Sequence, residues 1–346
     1  MKNIIFFHPK NDYTGSTRAL YNLLCEEYVN YKEISVITSK NENNGFLSLL
    51  PNVKIINIYD LKYKGKDIFF LSFFVRRLHS IFLTFLYGWK YKTFYINTIR
   101  PYYAALVGRL YGKKIIWHVH EKFLSQRVSV RMMEGIFEST SAHRIFVSEY
   151  VKNQYSANNK CTWEIRYNRL PSEFLNKVKN RAVEKRSRNK LLMIASLSKD
   201  KGVDMFINLA HHIQECHFRL ILNANKDNIN DFFSQVIIPP NCELIPKQSN
   251  IQPFLEDTDL ILNLSDPLYC VETFGLTILE AMPYGIPAIV PNVGGPTELI
   301  ENGYNGYCVD VSNLESLVEN IRLSLVEANY NRLAENTYKR FDLKFK

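Results

Sequence analysis

Apolar runs of strand length alternate with helical stretches along almost the whole chain. The runs are nearly continuous in Val, Ile, Leu and Phe, which predicts parallel strands whose sheets are covered by helices on both faces. The predicted strands of the first half are residues 3–8, 34–39, 53–58, 94–98, 114–120 and 144–148. Those of the second half are residues 190–196, 218–223, 260–265 and 287–291. The fold class is therefore α/β, with doubly wound parallel sheets.

The alternation of strands and helices occurs twice, and a polar, basic stretch separates the two halves. At 346 residues, the chain is long enough for two such domains. The predicted N-terminal domain is residues 1–170, and the predicted C-terminal domain is residues 190–330. A connector that includes a short helix joins them, at residues 171–189. Residues 331–346 form a tail that is a candidate to cross back to the first domain. Open α/β sheets bind ligands beyond the carboxyl ends of their strands, so both domains should carry site residues in the loops there.

Residues 68–87 form the segment that most resembles a membrane span. Arg76, Arg77 and His79 lie at its middle, and central charges argue against a span. A polar residue also recurs at every fourth position and would form one stripe on a helix: Ser72, Arg76, Ser80 and Thr84. The pattern predicts a helix packed on the N-terminal sheet. A compatible hypothesis adds a lipid contact through the aromatic residues on its other side.

The charge distribution supports an anionic partner, since the formal net charge is +9. No basic-aromatic nucleic-acid module is present, so we expect a nucleotide-sugar or an anionic lipid surface rather than nucleic acid. Between positions 61 and 92 the chain has one acidic residue, Asp67, and seven basic residues: Lys62, Lys64, Lys66, Arg76, Arg77, Lys90 and Lys92. We therefore expect peripheral contact with an anionic membrane surface.

The six cysteines are scattered singly, without the spacing of a metal site or a thioredoxin motif. This usage fits a reducing cytosol. The first residues, MKNIIFFHPKND, have too short an apolar part for a signal peptide and read as a buried strand. We expect a cytoplasmic protein on the inner face of the cytoplasmic membrane.

The segment from Cys270 to Gly295 reads CVETFGLTILEAMPYGIPAIVPNVGG and carries two glutamates, Glu272 and Glu280. If the helix in this segment begins near Gly275, Glu280 lies about 1.5 turns into it and Glu272 lies just before its N-terminus. A helix N-terminus offers N–H groups to a phosphate, and the two carboxylates can accept hydrogen bonds from sugar hydroxyls. The pattern indicates a ligand with hydroxyl-rich groups on both sides of a diphosphate, which is a nucleotide-sugar.

These residues resemble the signature of family 4 of the retaining glycosyltransferases, the glycosyl transferases group 1, which is a glutamate pair with this spacing. The resemblance implies that Glu272 contacts the transferred sugar and that Glu280 holds the ribose. It also implies that one backbone segment cradles the diphosphate: Thr273, Phe274, Gly275, Leu276 and Thr277. The alternative is a solvated glutamate before a helix and a second glutamate on its exposed face. The ordered runs ETFG, EAM and GGPTE favour the family.

The resemblance further implies the GT-B fold, in which two Rossmann-like domains face each other across a cleft. In that family the loop after the first strand lines the cleft, and the corresponding donor-binding residues here are Gly15, Ser16 and Arg18. An N-capped helix after a tight turn is the structural alternative. The family also places a catalytic histidine at the end of the strand WHVHE. His120, followed by Glu121, fits this position, and His118 is expected to pack beneath it.

Lys201-Gly202 matches the family's Lys-Gly pair, in which the lysine is a point charge for the diphosphate and a catalytic residue. The family often has an arginine five residues earlier, where this chain has Ser196. Arg18 is one candidate to replace that guanidinium. Ser196 itself is assigned to the donor site.

Two further motifs invite other interpretations. Asp257-Thr258-Asp259 is an Asp-x-Asp, but it immediately precedes a predicted strand and reads better as the end of a helix than as a metal site. The Gly294-Gly295 turn lacks the third glycine of a dinucleotide fingerprint. We expect no metal and no cofactor.

The sequence therefore predicts a retaining hexosyltransferase. Its donor is a nucleoside-diphosphate sugar, with UDP-sugars favoured, and its acceptor is a glycan or lipid-linked saccharide of cell-surface polysaccharide such as O-antigen or capsule. A nucleotide-sugar epimerase of the same fold is one alternative, but it needs acid/base carboxylates that cannot be identified in the sequence. A catalytically silent partner subunit is another, but the glutamate pair and Lys201 are present.

Overall fold

A computed structural model divides the chain into two compact units, Met1–Pro171 and Ser172–Lys346. The structure describes residues 2–28, 30, 33–40, 45–58, 66–121, 128–140, 142–156, 161–178 and 188–346, with the side chains of residues 2, 40 and 66–73 outside this description. Lys62 and Lys64 lie outside the described residues, as do residues 179–187 of the predicted connector. Each unit is an α/β domain with a parallel sheet, so the predicted fold class is confirmed.

The first unit contains, in its described part, a seven-stranded parallel sheet in the order β3-β2-β1-β4-β5-β6-β7. Its strands are β1 (Lys2–Asn11), β2 (Ile34–Lys40), β3 (Val53–Ile58), β4 (Tyr91–Asn97), β5 (Lys114–Val119), β6 (His143–Phe146) and β7 (Thr162–Ile165). Its helices are α1 (Gly15–Glu27), α2 (Lys66–Gly88), α3 (Tyr102–Leu110), α4 (Val128–Ser139) and α5 (Glu149–Asn153). Strand order reverses at β1 and β4, so the loops after these two strands flank a switch point, where open sheets bind ligands.

The second unit contains a six-stranded parallel sheet in the order β10-β9-β8-β11-β12-β13. Its strands are β8 (Lys190–Ala195), β9 (His217–Leu222), β10 (Cys242–Ile245), β11 (Leu260–Leu262), β12 (Ala288–Pro291) and β13 (Gly306–Val309). Its helices are α6 (Ser172–Asn176), α7 (Val203–His212), α8 (Lys226–Phe232), α9 (Gln252–Glu256), α10 (Leu276–Ala281), α11 (Pro296–Leu299), α12 (Leu314–Leu325) and α13 (Glu327–Lys344). Strand order reverses at β8 and β11, and the loops after these strands carry Lys201 and Glu272.

Each sheet is buried by the apolar runs that predicted it. In the first unit, Phe6, Val36 and Tyr95 are fully buried against Leu20 and Leu24 of α1. In the second unit, the strands and helices α7 and α12 share one core: Leu191, Phe206, Phe218, Leu220 and Leu317. Because the side chains that fill these cores come from the predicted strands, the sequence alone predicted most of the two sheets.

Three strands were missed, and one was predicted too long. The missed strands are β7, β10 and β13, each of four residues. All three lie at sheet edges. The apolar run at 260–265 forms a strand only over Leu260–Leu262. Beyond it, Asn263 and Ser265 bond locally, since the Ser265 N–H donates to the Asn263 side chain.

Helix α2 packs with two residues of its polar stripe, Ser80 and Thr84, facing inward. Ser80 and Thr84 are buried, and each hydroxyl donates to the carbonyl four residues earlier, at 2.7 Å. The side chains on the opposite face are exposed to solvent although they are apolar: Phe74, Leu78, Phe82, Phe85 and Leu86. Helix α2 packs beside α3, and α3 packs beside α4. In the described part of the chain, no helix combines the length and apolarity needed to cross a bilayer.

Candidate functional site

The second unit brings Lys201 and Glu272 together at the carboxyl edge of its sheet. The Lys201 Nζ lies 3.0 Å from Glu272 Oε2, and both side chains are about three-quarters buried. The same ammonium lies 3.3 Å from the Cys270 Sγ. Burial disfavours the charge of Lys201, but Glu272 and Cys270 outweigh it and raise the lysine pKa above its ordinary value. The pair is therefore a fixed cation beside a fixed anion.

Gly202 positions Lys201. Its backbone is left-handed, with φ of 74°, and it joins a 3₁₀ turn over Lys199–Lys201 to helix α7. A Cβ at this position would lie 2.0 Å from the carbonyl oxygen of Leu264. Only glycine meets both conditions, so the Lys-Gly pair of the sequence fixes where the lysine leaves the sheet edge.

The Gly294-Gly295 turn packs against the backbone that carries Glu272. The Gly295 N–H donates to the carbonyl oxygen of Glu272 at 2.9 Å. A Cβ on Gly294 would lie 2.4 Å from that oxygen, and one on Gly295 would lie 2.0 Å from the carbonyl oxygen of Thr273. The two glycines therefore allow two backbone segments to touch, and they hold the glutamate's loop in place.

The segment after Glu272 forms the predicted turn and helix. Phe274 is buried, Gly275 is left-handed with φ of 96°, and α10 begins at Leu276. Thr277 also belongs to the first helical turn, whose N–H groups have no partners within a helix. Helix α10 is only six residues long, so its dipole is small.

Glu280 lies on α10 and is 5% exposed. This burial excludes the alternative of a glutamate on an exposed helix face. A carboxylate is rarely buried in a soluble domain without a specific role. Ser196 lies just after β8 and is exposed at the same sheet edge. Cys270 was not among the predicted site residues, and its position two residues before Glu272 was the available signal.

In the first unit, His120 is the end of a chain of hydrogen-bonded side chains. Its Nε2 lies 2.9 Å from Asn97 Oδ1, and Asn97 Nδ2 lies 2.9 Å from His8 Nδ1. His8 Nε2 then lies 2.9 Å from Thr17 Oγ1, which donates to Asp12 Oδ1 at 2.8 Å. These groups come from the ends of β1, β4 and β5 and from α1, and they lie at the switch point of the sheet.

Two groups that can only accept fix which atom donates in each of these hydrogen bonds. A carboxylate only accepts, so the Thr17 hydroxyl donates to Asp12 and accepts from His8. The Asn97 amide group donates to the carbonyl oxygen of Ser16 at 3.3 Å, so its Oδ1 must face His120. His120 therefore carries its proton on Nε2 and presents Nδ1 as an acceptor. Burial, and then the neighbouring histidines, lower the His120 pKa well below 6.5, which keeps the ring neutral.

His118 lies beneath His120, with ring centroids 4.4 Å apart. Its Nδ1 lies 3.0 Å from the Tyr95 hydroxyl, and burial lowers its pKa to about 3. Thr98 follows Asn97 with φ of 68°, the one non-glycine residue at positive φ in the described ranges. Strained backbone of this kind tends to occur at functional sites. Asn97, His8 and Asp12 were missed in the sequence, where a polar residue ending an apolar strand was the only signal.

The remaining predicted residues of the first loop lie at the start of α1. A Cβ on Gly15 would meet nothing within 4 Å, so the fold of this unit does not itself require glycine there. The Arg18 guanidinium lies over the rings of Phe46 and Tyr21, at 4.8 and 5.4 Å from their centroids. Glu121 follows His120, and burial raises its pKa to about 7 although Arg100 opposes the shift.

The Asp257 and Asp259 carboxylates have structural partners. Lys190 Nζ lies 2.5 Å from Asp257, and Arg219 lies 3.3 Å from it. Asp259 accepts the backbone N–H groups of Asn189 and Lys190, each at 3.1 Å. Throughout the residues that the structure describes, no group of three metal-ligating side chains is brought together.

The chain is similar to known glycosyltransferases in sequence. Residues 176–340 match the family model described as glycosyl transferases group 1. The chain is 31% identical over 133 residues to N-acetyl-alpha-D-glucosaminyl L-malate synthase of Bacillus anthracis, covering 37% of this chain and 34% of that protein. It is 24% identical over 323 residues to an uncharacterized 41.2 kDa protein in the cps region of Klebsiella pneumoniae, covering 89% and 84%. The chain thus spans only about a third of the Bacillus anthracis protein, and it spans 6% of the sucrose synthase of Melioribacter roseus that it also matches.

Solved structures with the same fold cover the whole chain. Anabaena HepE, crystallised with UDP and glucose, aligns with a TM-score of 0.78 at 16% identity, over 100% of this chain and 96% of that one. WaaG, a glycosyltransferase involved in lipopolysaccharide biosynthesis, aligns with a TM-score of 0.72 at 14% identity, over 99% and 95%. These alignments assign the two units to the GT-B fold. The C-terminal unit, which carries the Lys201–Glu272 pair, is the part of the chain that matches the glycosyl transferases group 1.

Proposed function

We propose that this protein is a retaining glycosyltransferase that moves a hexose from a UDP-sugar to a lipid-linked saccharide acceptor in cell-surface polysaccharide assembly. The observation that carries the proposal is the Lys201–Glu272 pair, which the Gly294-Gly295 turn holds at the carboxyl edge of the second sheet. Such a pair offers a cation to the diphosphate and an acceptor to the sugar hydroxyls. The pair also lies within the residues that match the family model.

In the proposed reaction, the bond between the anomeric carbon and the diphosphate oxygen breaks, and its electron pair stays on the diphosphate. A bond to an acceptor hydroxyl oxygen forms, and the hydroxyl proton is released. Lys201 stabilises the charge that develops on the leaving diphosphate. Because Glu272 and burial already hold this ammonium in place, little reorganisation is needed when the charge appears.

Glu280 and His120 complete the proposed donor contacts. The buried Glu280 carboxylate is assigned to the ribose hydroxyls, as in the resembled family. His120 is assigned to the transferred sugar, and the hydrogen-bonded chain to Asp12 gives it a defined role as acceptor through Nδ1. A neutral imidazole with a fixed tautomer can accept a sugar hydroxyl but does not repel a developing positive charge at the anomeric carbon.

The substrate class rests on relatives. HepE was crystallised with UDP-glucose, which favours a uridine nucleotide for this chain. The similar protein in the cps region of Klebsiella pneumoniae, and WaaG of lipopolysaccharide biosynthesis, favour a polysaccharide acceptor. The acceptor would be bound by the first unit, whose sequence carries little of the family signature.

We also infer that the first unit contacts a membrane through the outward face of α2. Phe74, Leu78 and Phe82 are 61%, 53% and 60% exposed, which is unusual for a stripe of large apolar side chains. Next to this face, Lys90 and Lys113 flank the exposed Trp89, and Lys113 donates to the Trp89 carbonyl oxygen at 3.0 Å. Aromatic rings with neighbouring lysines suit the headgroup region of an anionic bilayer.

Two of the residues predicted to contact lipid headgroups are placed elsewhere by the structure. Arg76 and Arg77 lie on the inward side of α2, with their guanidinium groups bonded to carbonyl oxygens of the unit. The side chain of Lys66 lies outside the described part of the chain. The proposed membrane contact therefore rests on the apolar face and on Lys90 and Lys113.

Thermal unfolding in a panel of nucleotide-sugars tests the donor, and transfer of labelled sugar to lipid extracted from bacterial membranes tests the reaction. We expect UDP-sugars to raise the Tm, and we expect a labelled lipid product that forms with EDTA present. Accumulation of an epimerised nucleotide-sugar without transfer would favour an epimerase. Absence of protection by every nucleotide-sugar would reject the proposal.

A further inference from the structure

The Asn97 amide connects His120 to buried polar groups from two other elements. Asn97 ends β4, is fully buried, and pairs in register with His118 of β5. Its Oδ1 lies 2.9 Å from His120 Nε2, and its Nδ2 lies 2.9 Å from His8 Nδ1 and 3.3 Å from the Ser16 carbonyl oxygen. One side chain therefore joins β1, the residue after β5 and the first turn of α1.

The amide of Asn97 has a fixed orientation, because both of its N–H hydrogens have acceptors. The Ser16 carbonyl oxygen can only accept, so it must face the amide nitrogen. The lone pair of His8 Nδ1 takes the second hydrogen only if His8 carries its own proton on Nε2. That proton has an acceptor, because Thr17 Oγ1 lies 2.9 Å from Nε2 and donates its own hydrogen to Asp12. The two ends of the hydrogen-bonded chain therefore require the same arrangement.

The hydrogen-bonded chain orients His120 but does not conduct protons. A side-chain amide neither gains nor loses a proton in the physiological pH range, so Asn97 interrupts any proton transfer between the two histidines. The amide also brings no charge, whereas a carboxylate in its place would favour a protonated imidazole. Asp12 lies at the far end of the hydrogen-bonded chain, where it accepts the Thr14 N–H at 3.0 Å and the Thr14 hydroxyl at 2.6 Å. The direct partner of His120 is therefore neutral.

The titratable groups around His120 also leave its ring neutral. His118 lies beneath it, with ring centroids 4.4 Å apart, and His8 is the nearest histidine on β1. Burial lowers the pKa of His118 to about 3 and that of His8 to about 4. Glu121, the next residue in the sequence, lies 4.0 Å from Arg100. A neutral ring whose Nε2–H is already bound has one further polar atom, Nδ1, and this atom can only accept.

We propose that Asn97 is a positioning residue for the transferred sugar: it holds His120 so that Nδ1 accepts a hydroxyl hydrogen of that sugar, and Thr17 keeps Asn97 in this orientation through His8. This inference rests on the proposed glycosyl transfer and adds the groups that prepare His120 for it. Asn97 and Thr17 are both fully buried, so they act on the sugar only through His120. The arrangement also restricts the donor, because a sugar that offers only an acceptor at this point leaves a buried nitrogen without a partner.

Nuclear magnetic resonance of the protein with isotope-labelled histidine tests the hydrogen-bonded chain without any substrate. Couplings within the ring distinguish a proton on Nδ1 from one on Nε2, and His120→Gln and His8→Gln assign the signals. At about pH 7 we expect both histidines of the wild type to be neutral, with the proton on Nε2. In Thr17→Val, His8 should show a mixture of tautomers, because its Nε2 proton has lost its acceptor. Thr17→Ser keeps the hydroxyl and should show the wild-type pattern.

Calorimetry separates the sugar contact from the nucleotide contact, since it compares UDP with the UDP-sugar that the wild type transfers. Asn97→Ala should weaken binding of the UDP-sugar about tenfold or more, because two buried groups lose their partner. Binding of UDP should not change, since UDP has no sugar to meet His120. Thr17→Val should weaken binding of the UDP-sugar by about threefold, the size of one neutral hydrogen bond, and Thr17→Ser should restore it.

Asn153→Ala, an exposed asparagine on α5 of the same unit, is the matched control and should bind both ligands as the wild type does. Tryptophan fluorescence in urea establishes that the first unit is folded in each variant. If Asn97→Ala does not fold, the contrast between Thr17→Val and Thr17→Ser decides the question.

The proposal is overturned if His120 of the wild type is charged at about pH 7 or carries its proton on Nδ1. It is also overturned if the folded Asn97→Ala and Thr17→Val variants bind the UDP-sugar as tightly as the wild type does. Absence of transfer by the wild type with every UDP-sugar would instead reject the proposed function. Transfer by the wild type together with unchanged binding in both variants would reject only the role of Asn97.

Discussion

The Lys201 ammonium and the Glu272 carboxylate lie 3.0 Å apart, although 71 positions separate them in the chain. The two loops that carry them follow β8 and β11, which are neighbours in the sheet. The contact keeps both charges at the sheet edge in a partly buried environment. A donor that binds there meets an ammonium for its diphosphate and a carboxylate for its sugar.

Glu272→Gln should reduce transfer by about 10- to 150-fold, since a charged hydrogen bond is worth roughly 1.5–3 kcal/mol. The Tm of the protein should also fall, because the partly buried Lys201 ammonium loses its charged partner. The measurement is the initial rate of nucleoside diphosphate release with acceptor present. Glu243→Gln, an exposed glutamate on β10, is the matched control. A rate within twofold of wild type would remove Glu272 from the site.

Glu280→Gln should weaken UDP binding more than it slows the chemical step, because the ribose contact is already made before the reaction. Calorimetry with UDP should show at least a fivefold weaker Kd, on the order of 1 kcal/mol. The rate at saturating donor should fall less than in Glu272→Gln. An unchanged Kd for UDP would mean that this buried carboxylate has only a structural role.

Gly295→Ala should impair donor binding by displacing the loop of Glu272. The added Cβ would lie 2.0 Å from the Thr273 carbonyl oxygen, so the backbone must move. We expect weaker protection by UDP in thermal unfolding, together with a lower Tm. Gly135→Ala on α4 is the control, since its Cβ meets nothing within 4 Å and alanine favours a helix by about 1 kcal/mol. Wild-type UDP protection in Gly295→Ala would contradict the role of this turn.

The first unit should lose stability as the pH falls from about 6.5 to about 4. Burial lowers the pKa of His8 to about 4 from 6.5, so the unfolded chain takes up a proton before the folded one does. The shift corresponds to a loss on the order of 3 kcal/mol from His8 alone. Urea unfolding followed by tryptophan fluorescence reports on this unit, because all three tryptophans lie in it: Trp89, Trp117 and Trp163.

His8→Gln should make this pH dependence of the free energy of unfolding shallower without abolishing it, because the buried His118 and His120 contribute in the same direction. His143→Gln is the control in the same unit, since the His143 side chain is 28% exposed and contacts Thr162 and Glu164 rather than the buried side chains around His120. If His8→Gln loses stability between these pH values as steeply as the wild type, the buried neutral histidine is not the cause.

Binding to phosphatidylglycerol vesicles should be stronger than to phosphatidylcholine vesicles and should weaken with salt. Each lysine near an anionic surface contributes about 1 kcal/mol. Replacing Lys90 and Lys113 with Glu should release the protein at low salt, and Phe82→Ser should weaken binding at every salt concentration. Lys226→Glu, an exposed lysine on α8 of the second unit, controls for net charge. Sedimentation that is the same with both lipids would argue for a soluble acceptor.

Most of the two sheets could be predicted from the sequence, because central parallel strands are buried on both faces and read as unbroken apolar runs. The edge strands β7, β10 and β13 were missed because they are short and do not form long unbroken apolar runs. The TWEI strand β7 has no fully buried side chain, since an edge strand pairs on one side and is covered less. Its strand conformation comes from pairing with β6, which no local pattern records.

The sequence by itself determined the fold class, the glutamate pair, the Lys-Gly turn and the start of α10, because each depends on local spacing or on a residue type that one backbone shape requires. Only the tertiary structure decided which face of α2 is buried, since an amphipathic pattern fixes two faces but not which one meets the sheet. Only the tertiary structure joined Asp12, Thr17, His8 and Asn97 to His120. These contacts link side chains from separate strands and helices, and their geometry depends on how the sheet and its helices pack.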